Sequence, residues 1–159
     1  MRIITANLNG IRSAERKGFF PWLARQKADV VCIQETKAQR HQLSDPVFSP
    51  RAFHCYYHDA EKKGYSGTAV YSRLKPDSTV IGMGVPEVDR EGRYLEVRYR
   101  NLSVISLYMP SGTAGDIRQD FKYWMMDLFL PHMQKLKKQK REIVICGDWN
   151  IAHLSLIHI

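Results

Sequence analysis

Glu142-Ile-Val-Ile-Cys-Gly-Asp-Trp-Asn150 is the stretch that decides the fold. Glu142–Cys146 is a short, nearly all-apolar run rich in β-branched side chains, which reads as a buried strand. Gly147-Asp148-Trp149-Asn150 follows at once, so a carboxylate and an amide stand where that strand ends. The same arrangement recurs upstream. Asn7 follows the strand Arg2–Ala6, Glu35 follows Asp29–Ile33, and Tyr108 follows Ser103–Leu107. In α/β sheets, ligands bind outside the carboxyl ends of strands. Four strands ending in Asn, Glu, Tyr and Asp-x-Asn meet in one pocket if they run in compatible directions.

Phe53–His58, Thr68–Ser72, Thr79–Met83 and Tyr94–Tyr99 are further strand candidates. Ser13–Lys27 carries Phe19, Phe20 and Leu23 at helical spacing, with Pro21 near the start of the helix proper. Asp116 is a candidate N-cap, with Gln119 completing a capping box. Phe121, Trp124, Met125, Leu128, Phe129, Met133 and Leu136 follow as an apolar stripe, and Pro131 is expected to kink or split that helix. The order of elements predicts an α/β chain with helices packed on a mixed sheet. No repeat or Pro/Gly/Ser-rich linker divides it.

The chain has 159 residues, 44% of them apolar, which supplies a core. No apolar run reaches about 18 residues, so no transmembrane helix is expected. The N-terminus lacks the pattern of a signal peptide. Cys32, Cys55 and Cys146 are too few and scattered for a disulfide framework, and a cytoplasmic location is the expectation. Lys and Arg total 24 against 16 Asp and Glu, a net charge of +8 that favours a polyanionic partner. Lys135, Lys137, Lys138, Lys140 and Arg141 supply part of it and read first as the solvated end of a helix.

Glu35 is a hard oxygen donor suited to Mg²⁺ or Mn²⁺, and Asn7 and Asn150 add amides. There is no zinc-type His/Cys spacing, no phosphate-binding P-loop and no Gly-x-Ser-x-Gly elbow. Carboxylates, amides and a phenol around a hard cation point to phosphoryl chemistry. Each residue alone also has an ordinary reading. Asn7 stands beside an Asn9-Gly10 turn signal, Tyr108 closes a strand before Met109-Pro110, and a carboxylate after a strand is commonly a surface or capping group.

Asn-Leu-Asn-Gly-Ile-Arg at 7–12, Gln-Glu-Thr-Lys at 34–37, Gly-Tyr-Ser-Gly at 64–67, Tyr-Met-Pro-Ser at 108–111 and Gly-Asp-Trp-Asn-Ile-Ala-His at 147–153 occur in that order. Together they closely resemble the exonuclease III family of apurinic/apyrimidinic endonucleases, within the endonuclease/exonuclease/phosphatase superfamily. The resemblance implies a Mg²⁺-dependent DNA phosphodiesterase of base-excision repair, with Mn²⁺ as a substitute. Such an enzyme cleaves 5′ to abasic sites and removes nucleotides and blocking groups from 3′ ends. Its partner would be duplex DNA with abasic sites or 3′ ends, with no membrane and no obligate protein partner. Glu35 then corresponds to the principal metal ligand and Asn7 to its neighbour in the metal site. Asp148 corresponds to the carboxylate that activates water, Asn150 and Tyr108 to contacts of the scissile phosphate, and Asp148 and Asn150 also to the metal surroundings. Arg12, Lys37, Tyr65 and Ser66 fall where the family touches the DNA backbone.

The family's fold is a four-layer αββα sandwich, of which this chain resembles the N-terminal half. Residues 1–153 are expected to be a partial domain and 154–159 a non-family tail on a truncated reading frame. The family's late Ser-Asp-His motif has no counterpart, so the 159-residue chain alone is expected to be inactive. With its partner sheet missing, one apolar sheet face would be exposed, favouring aggregation or partial folding. Two other functions fit the same residues: a phosphoesterase of this superfamily acting on an inositol phosphate or lipid head group, and a non-catalytic basic DNA-binding fragment.

Overall fold

The computed structural model describes residues 1–112 and 115–151. Val30–Gln34 forms a strand, β2, with every side chain buried. It lies parallel to β1 (Ile3–Asn7) and antiparallel to β4 (Thr68–Ser72), which in turn pairs with β3 (His54–His58). A second sheet has the order β5 (Ser78–Ile81), β6 (Tyr94–Tyr99), β7 (Leu102–Tyr108), β8 (Glu142–Asp148). Its first two pairings are antiparallel, whereas β7 and β8 are parallel.

Side-chain alternation stacks these sheets. On β2, Val31 and Ile33 face a core built with α1 (Ile11–Arg16) and α2 (Phe19–Arg25), where Phe20, Leu23 and Tyr71 also lie. Val30 and Cys32 point the other way and meet Val70, Leu95, Val97 and Val104 between the sheets. Ile105 and Leu107 turn outward again against Met125, Phe129 and Leu136 of α4 (Asp116–Lys137). The layers therefore run helix, sheet, sheet, helix, which bears out the α/β and αββα reading.

One expectation is overturned. The partner sheet is present, because β5–β8 cover the inner face of β1–β4 with the apolar cluster just named. The motif-bearing Glu142–Asp148 strand belongs to this second sheet, so among the described residues the inner face of β1–β4 is covered rather than bare. What the described residues leave open is narrower: β1 and β3 edge the first sheet and β5 and β8 the second, each with one side unpaired within its sheet. The proposed tail, 154–159, lies outside the described residues.

The helices differ locally from expectation. Ser13–Lys27 is two helices, broken where Gly18 takes a left-handed φ of 85°. Pro86–Asp89 adds a short helix, α3. Gly115 caps α4 with no side-chain cap, so Asp116 is its first helical residue and the capping box is not formed. Pro131 does not split α4. Pro131 and Asp127 are both exposed, so the carbonyl that loses its partner faces water. The stripe is also narrower than the spacing suggests, since Trp124 and Met133 are exposed. Among the described residues no helix is long and apolar enough to cross a membrane.

Candidate active site

Parallel pairing brings the strand ends together. Asn7 is registered with Gln34 at the ends of β1 and β2, and Tyr108 with Asp148 at the ends of β7 and β8. The two pairs lie on different sheets, and the Asn7 amide joins them. Its Nδ2 donates to Glu35 Oε1 at 2.8 Å and to Asp148 Oδ2 at 2.9 Å. Its Oδ1 accepts from the Asn9 backbone at 3.0 Å, which fixes the amide's orientation.

Glu35 sits on a tightly held turn. Gly10 N donates to its carbonyl at 2.8 Å, while Thr36 N and Lys37 N donate to Gly67 O and Ser66 O at 3.1 and 2.9 Å. Gly67 has φ +87°, and a Cβ there would lie 2.2 Å from Thr36 Oγ1. Asn9, Glu35, Lys37, Ser66 and Asn150 all adopt left-handed φ between 46° and 54°. Such conformations cost energy in non-glycine residues and concentrate at functional sites.

Lys37 Nζ lies 2.6 Å from Glu35 Oε2 and 2.5 Å from Asn9 Oδ1. Burial pushes the Glu35 carboxyl up, but hydrogen bonds from Lys37, Asn7 and Tyr108, with the Lys37 charge, together hold it below its ordinary range. Burial raises the Tyr108 phenol, as do its hydrogen bond to Glu35 and that carboxylate's charge, so it stays a donor at neutral pH. Asp148 Oδ1 accepts from Asn150 N at 3.0 Å, Asn150 Nδ2 donates to Met109 O at 2.8 Å, and Lys122 Nζ donates to Asn150 O at 2.6 Å. Trp149 packs edge-to-face on Phe129, 5.6 Å between centroids, anchoring the turn to α4. A cleft of about 730 Å³ opens beside Asn7, Gln34, Lys122, Asp148 and Asn150.

The donor set fits a hard divalent cation. Glu35 and Asp148 offer carboxylate oxygens, and the Lys37 ammonium already sits between Glu35 and Asn9 oxygens. Among the described residues no group of three or more His, Cys, Asp or Glu forms a closed cage. One or two carboxylates with the rest left to water and phosphate is the manner of Mg²⁺. Asn7 turns its NH₂ to both carboxylates and its Oδ1 to Asn9 N, so in this geometry it spaces the carboxylates rather than offering a cation a ligand oxygen.

The other expected residues divide. Tyr65 is half-buried, and its phenol oxygen accepts from Arg93 Nη2 at 3.0 Å and Arg118 Nη2 at 2.7 Å. Arg12 is exposed on α1. Ser66 is only 1% exposed, so its side chain is not available as a surface contact, and its carbonyl serves the Lys37 turn instead.

Sequence reasoning missed Glu91, Arg93, Arg118 and Lys122. Glu91 binds Arg93 Nε at 2.6 Å and Arg118 at 2.8 and 3.0 Å. The Arg93 side chain is buried; its Nη1 donates to Tyr108 O at 2.9 Å and its guanidinium lies 4.8 Å from the Tyr108 ring. One signal was available: Arg118 puts a cation in the first turn of α4, where the helix dipole disfavours it.

A family model described as Endonuclease/Exonuclease/phosphatase family matches residues 4–157. An exodeoxyribonuclease of Bacillus subtilis is 38% identical over 157 residues, 98% of this chain and 61% of the relative. A DNA-(apurinic or apyrimidinic site) endonuclease of Dictyostelium discoideum is 33% identical over 98% of this chain and 43% of its own length. The solved structure of an AP endonuclease from Archaeoglobus fulgidus matches with a TM-score of 0.83 at 26% identity, covering 98% of this chain and 60% of that one. The chain thus spans from 43% to 61% of the lengths of these relatives.

Proposed function

Because the chain belongs to the Endonuclease/Exonuclease/phosphatase family, we propose that it carries the cation- and phosphate-binding part of a Mg²⁺-dependent DNA phosphodiesterase. The substrate we assign is duplex DNA at abasic sites and 3′ ends, in line with the names of the Bacillus and Dictyostelium relatives. The single observation that carries the proposal is the Asn7 amide spanning Glu35 and Asp148 across two sheets. That bridge joins a cation-holding carboxylate to a water-activating one.

Glu35 would hold Mg²⁺, or Mn²⁺ in its place, through its carboxylate, which Asn7 and Lys37 orient. When bound, the cation supplies charge neutralisation at a phosphate oxygen. Asp148, oriented by Asn7 and Asn150 N, accepts the proton of the attacking water. Tyr108, kept protonated, and the second amide hydrogen of Asn150 donate to non-bridging oxygens. Arg12, Lys37 and Tyr65 lie on the approach to the phosphate backbone, whereas Ser66 acts through its backbone. The basic surplus makes duplex binding weaken steeply with salt.

The chain spans 61% of the length of the Bacillus relative, and the resemblance counts an Asp and a His outside the motifs matched here among the family's site residues. The test therefore joins residues 1–151 to the C-terminal part of the Bacillus relative and assays nicking of an abasic-site duplex. Nicking in Mg²⁺, abolished by EDTA and by Glu35→Ala, is the expected result. A folded chimera that binds the duplex without nicking it, in any divalent cation, would reject the enzymatic reading in favour of a DNA-binding one.

A further inference from the structure

The two halves of the site stand on different sheets, and most of what joins those sheets is apolar. Val30, Cys32, Val70, Leu95, Val97 and Val104 form that interface. Apolar contact is non-directional and does not by itself fix how far one sheet slides over the other. The Asn7 bridge tolerates little sliding, because both of its hydrogen bonds are already near 2.9 Å.

Directly behind the site a polar chain runs from exposed Thr5 through buried Gln34 and Ser106 across the interface. Thr5 Oγ1 on β1 donates to Gln34 Oε1 at 3.2 Å. Gln34 Nε2 on β2 donates to Ser106 Oγ on β7 at 3.0 Å, and Ser106 Oγ donates back to Ile33 O at 3.0 Å. Gln34 and Ser106 are 1% and 0% exposed. Gln34 immediately precedes Glu35 and is registered with Asn7. Ser106 stands two residues before Tyr108, and its register partner Cys146 two residues before Asp148. Each end of the bridge is therefore tied through short, paired backbone to one carboxylate.

We infer that Gln34 and Ser106 are positioning residues, whose hydrogen bond across the sheets sets the spacing between Glu35 and Asp148 and so the cation affinity of the site. The inference rests on the metal-binding function proposed above. Two buried polar groups in an apolar interface are costly unless paired, and once paired they hold a single register. Neither side chain takes part in the chemistry.

A comparison with a second cross-sheet hydrogen bond tests it. Tyr99 OH donates to Ser72 Oγ at 2.6 Å, at the end of the sandwich remote from the site. Ser106→Ala and Tyr99→Phe each delete one hydroxyl; the first removes the cross-sheet bonds to Gln34 and Ile33, the second the bond to Ser72. In the full 159-residue chain, Mn²⁺ affinity is measured by calorimetric titration and the Asn7 side-chain amide is followed by NMR without metal. Ser106→Ala is expected to weaken Mn²⁺ binding about tenfold, as loss of outer partners does elsewhere, and to shift or broaden the Asn7 amide pair. Tyr99→Phe is expected to lower only thermal stability. Equal Mn²⁺ affinity and an unmoved Asn7 amide in both variants would overturn the inference. If the unaltered chain binds no Mn²⁺, the proposed function fails, and the Asn7 amide still decides whether the bridge sets the site.

Discussion

Asn7, Glu35 and Asp148 acquire their meaning from one another. Asn7 faces a carboxylate 28 residues away and another 141 residues away in sequence. Lys37 is the clearest lever on this group. Lys37→Met removes the strongest of the hydrogen bonds and the charge that oppose burial at Glu35. The Glu35 carboxyl is then expected to titrate at higher pH, moving back toward the ordinary carboxylate value, as read by NMR of the side-chain carbon. An unmoved titration would mean that Lys37 does not hold Glu35. Tyr108→Phe should move it the same way by less. Asn7, Glu35, Tyr108, Asp148 and Asn150 were legible because each follows an apolar strand within a dense motif. Glu91, Arg93 and Arg118 were not. Glu91, on the turn after α3, and Arg118, on α4, are 27 residues apart, and only the folded chain brings them to Tyr65.

At the scale of elements, short runs of β-branched and aromatic side chains located each strand of the described residues to within a few positions, because such side chains pack well on a pleated sheet. Helix limits were less legible. The break at Gly18 and the cap at Gly115 depend on positive φ, which composition does not reveal. Gly147 carries an element-scale prediction. A Cβ there would lie 2.1 Å from the Leu107 carbonyl oxygen and 2.9 Å from its carbon, both backbone atoms of the adjoining strand β7. Gly147→Ala must push β8 off β7, at a cost of about 1–3 kcal/mol. Denaturant unfolding should show the loss, and Asp148, the next residue, should lose its Asn7 contact. An unchanged unfolding midpoint would show that β8 is not seated as closely as described.

For the whole molecule, the sequence order suggested one sheet awaiting another, whereas the chain contains both. A motif near residue 150 gives its place in the chain but not the sheet to which its strand belongs. That choice was made by β7, whose parallel partner is β8 across the long α4 crossover. Acid stability is a property at this scale. Glu35, Glu91 and Glu96 are each pushed up by burial but held below their ordinary range by hydrogen bonds and charges, chiefly from Lys37, Arg118 and Arg98. Depressed folded values mean that their stabilisation is complete above the unfolded carboxylate value of about 4.3. It is lost as pH falls through the lower folded values. Urea unfolding midpoints should therefore hold between pH 7 and about 5 and fall below about pH 4. A midpoint that rises on acidification would contradict the sign. That Glu35 would hold one divalent cation, with Asp148 beside it across the two sheets, is tested by a calorimetric Mn²⁺ titration of the chain beside Glu35→Ala and Asp148→Asn. One site is expected in the unaltered chain, abolished by Glu35→Ala and weakened by Asp148→Asn; equal binding in all three would overturn the assignment of Glu35.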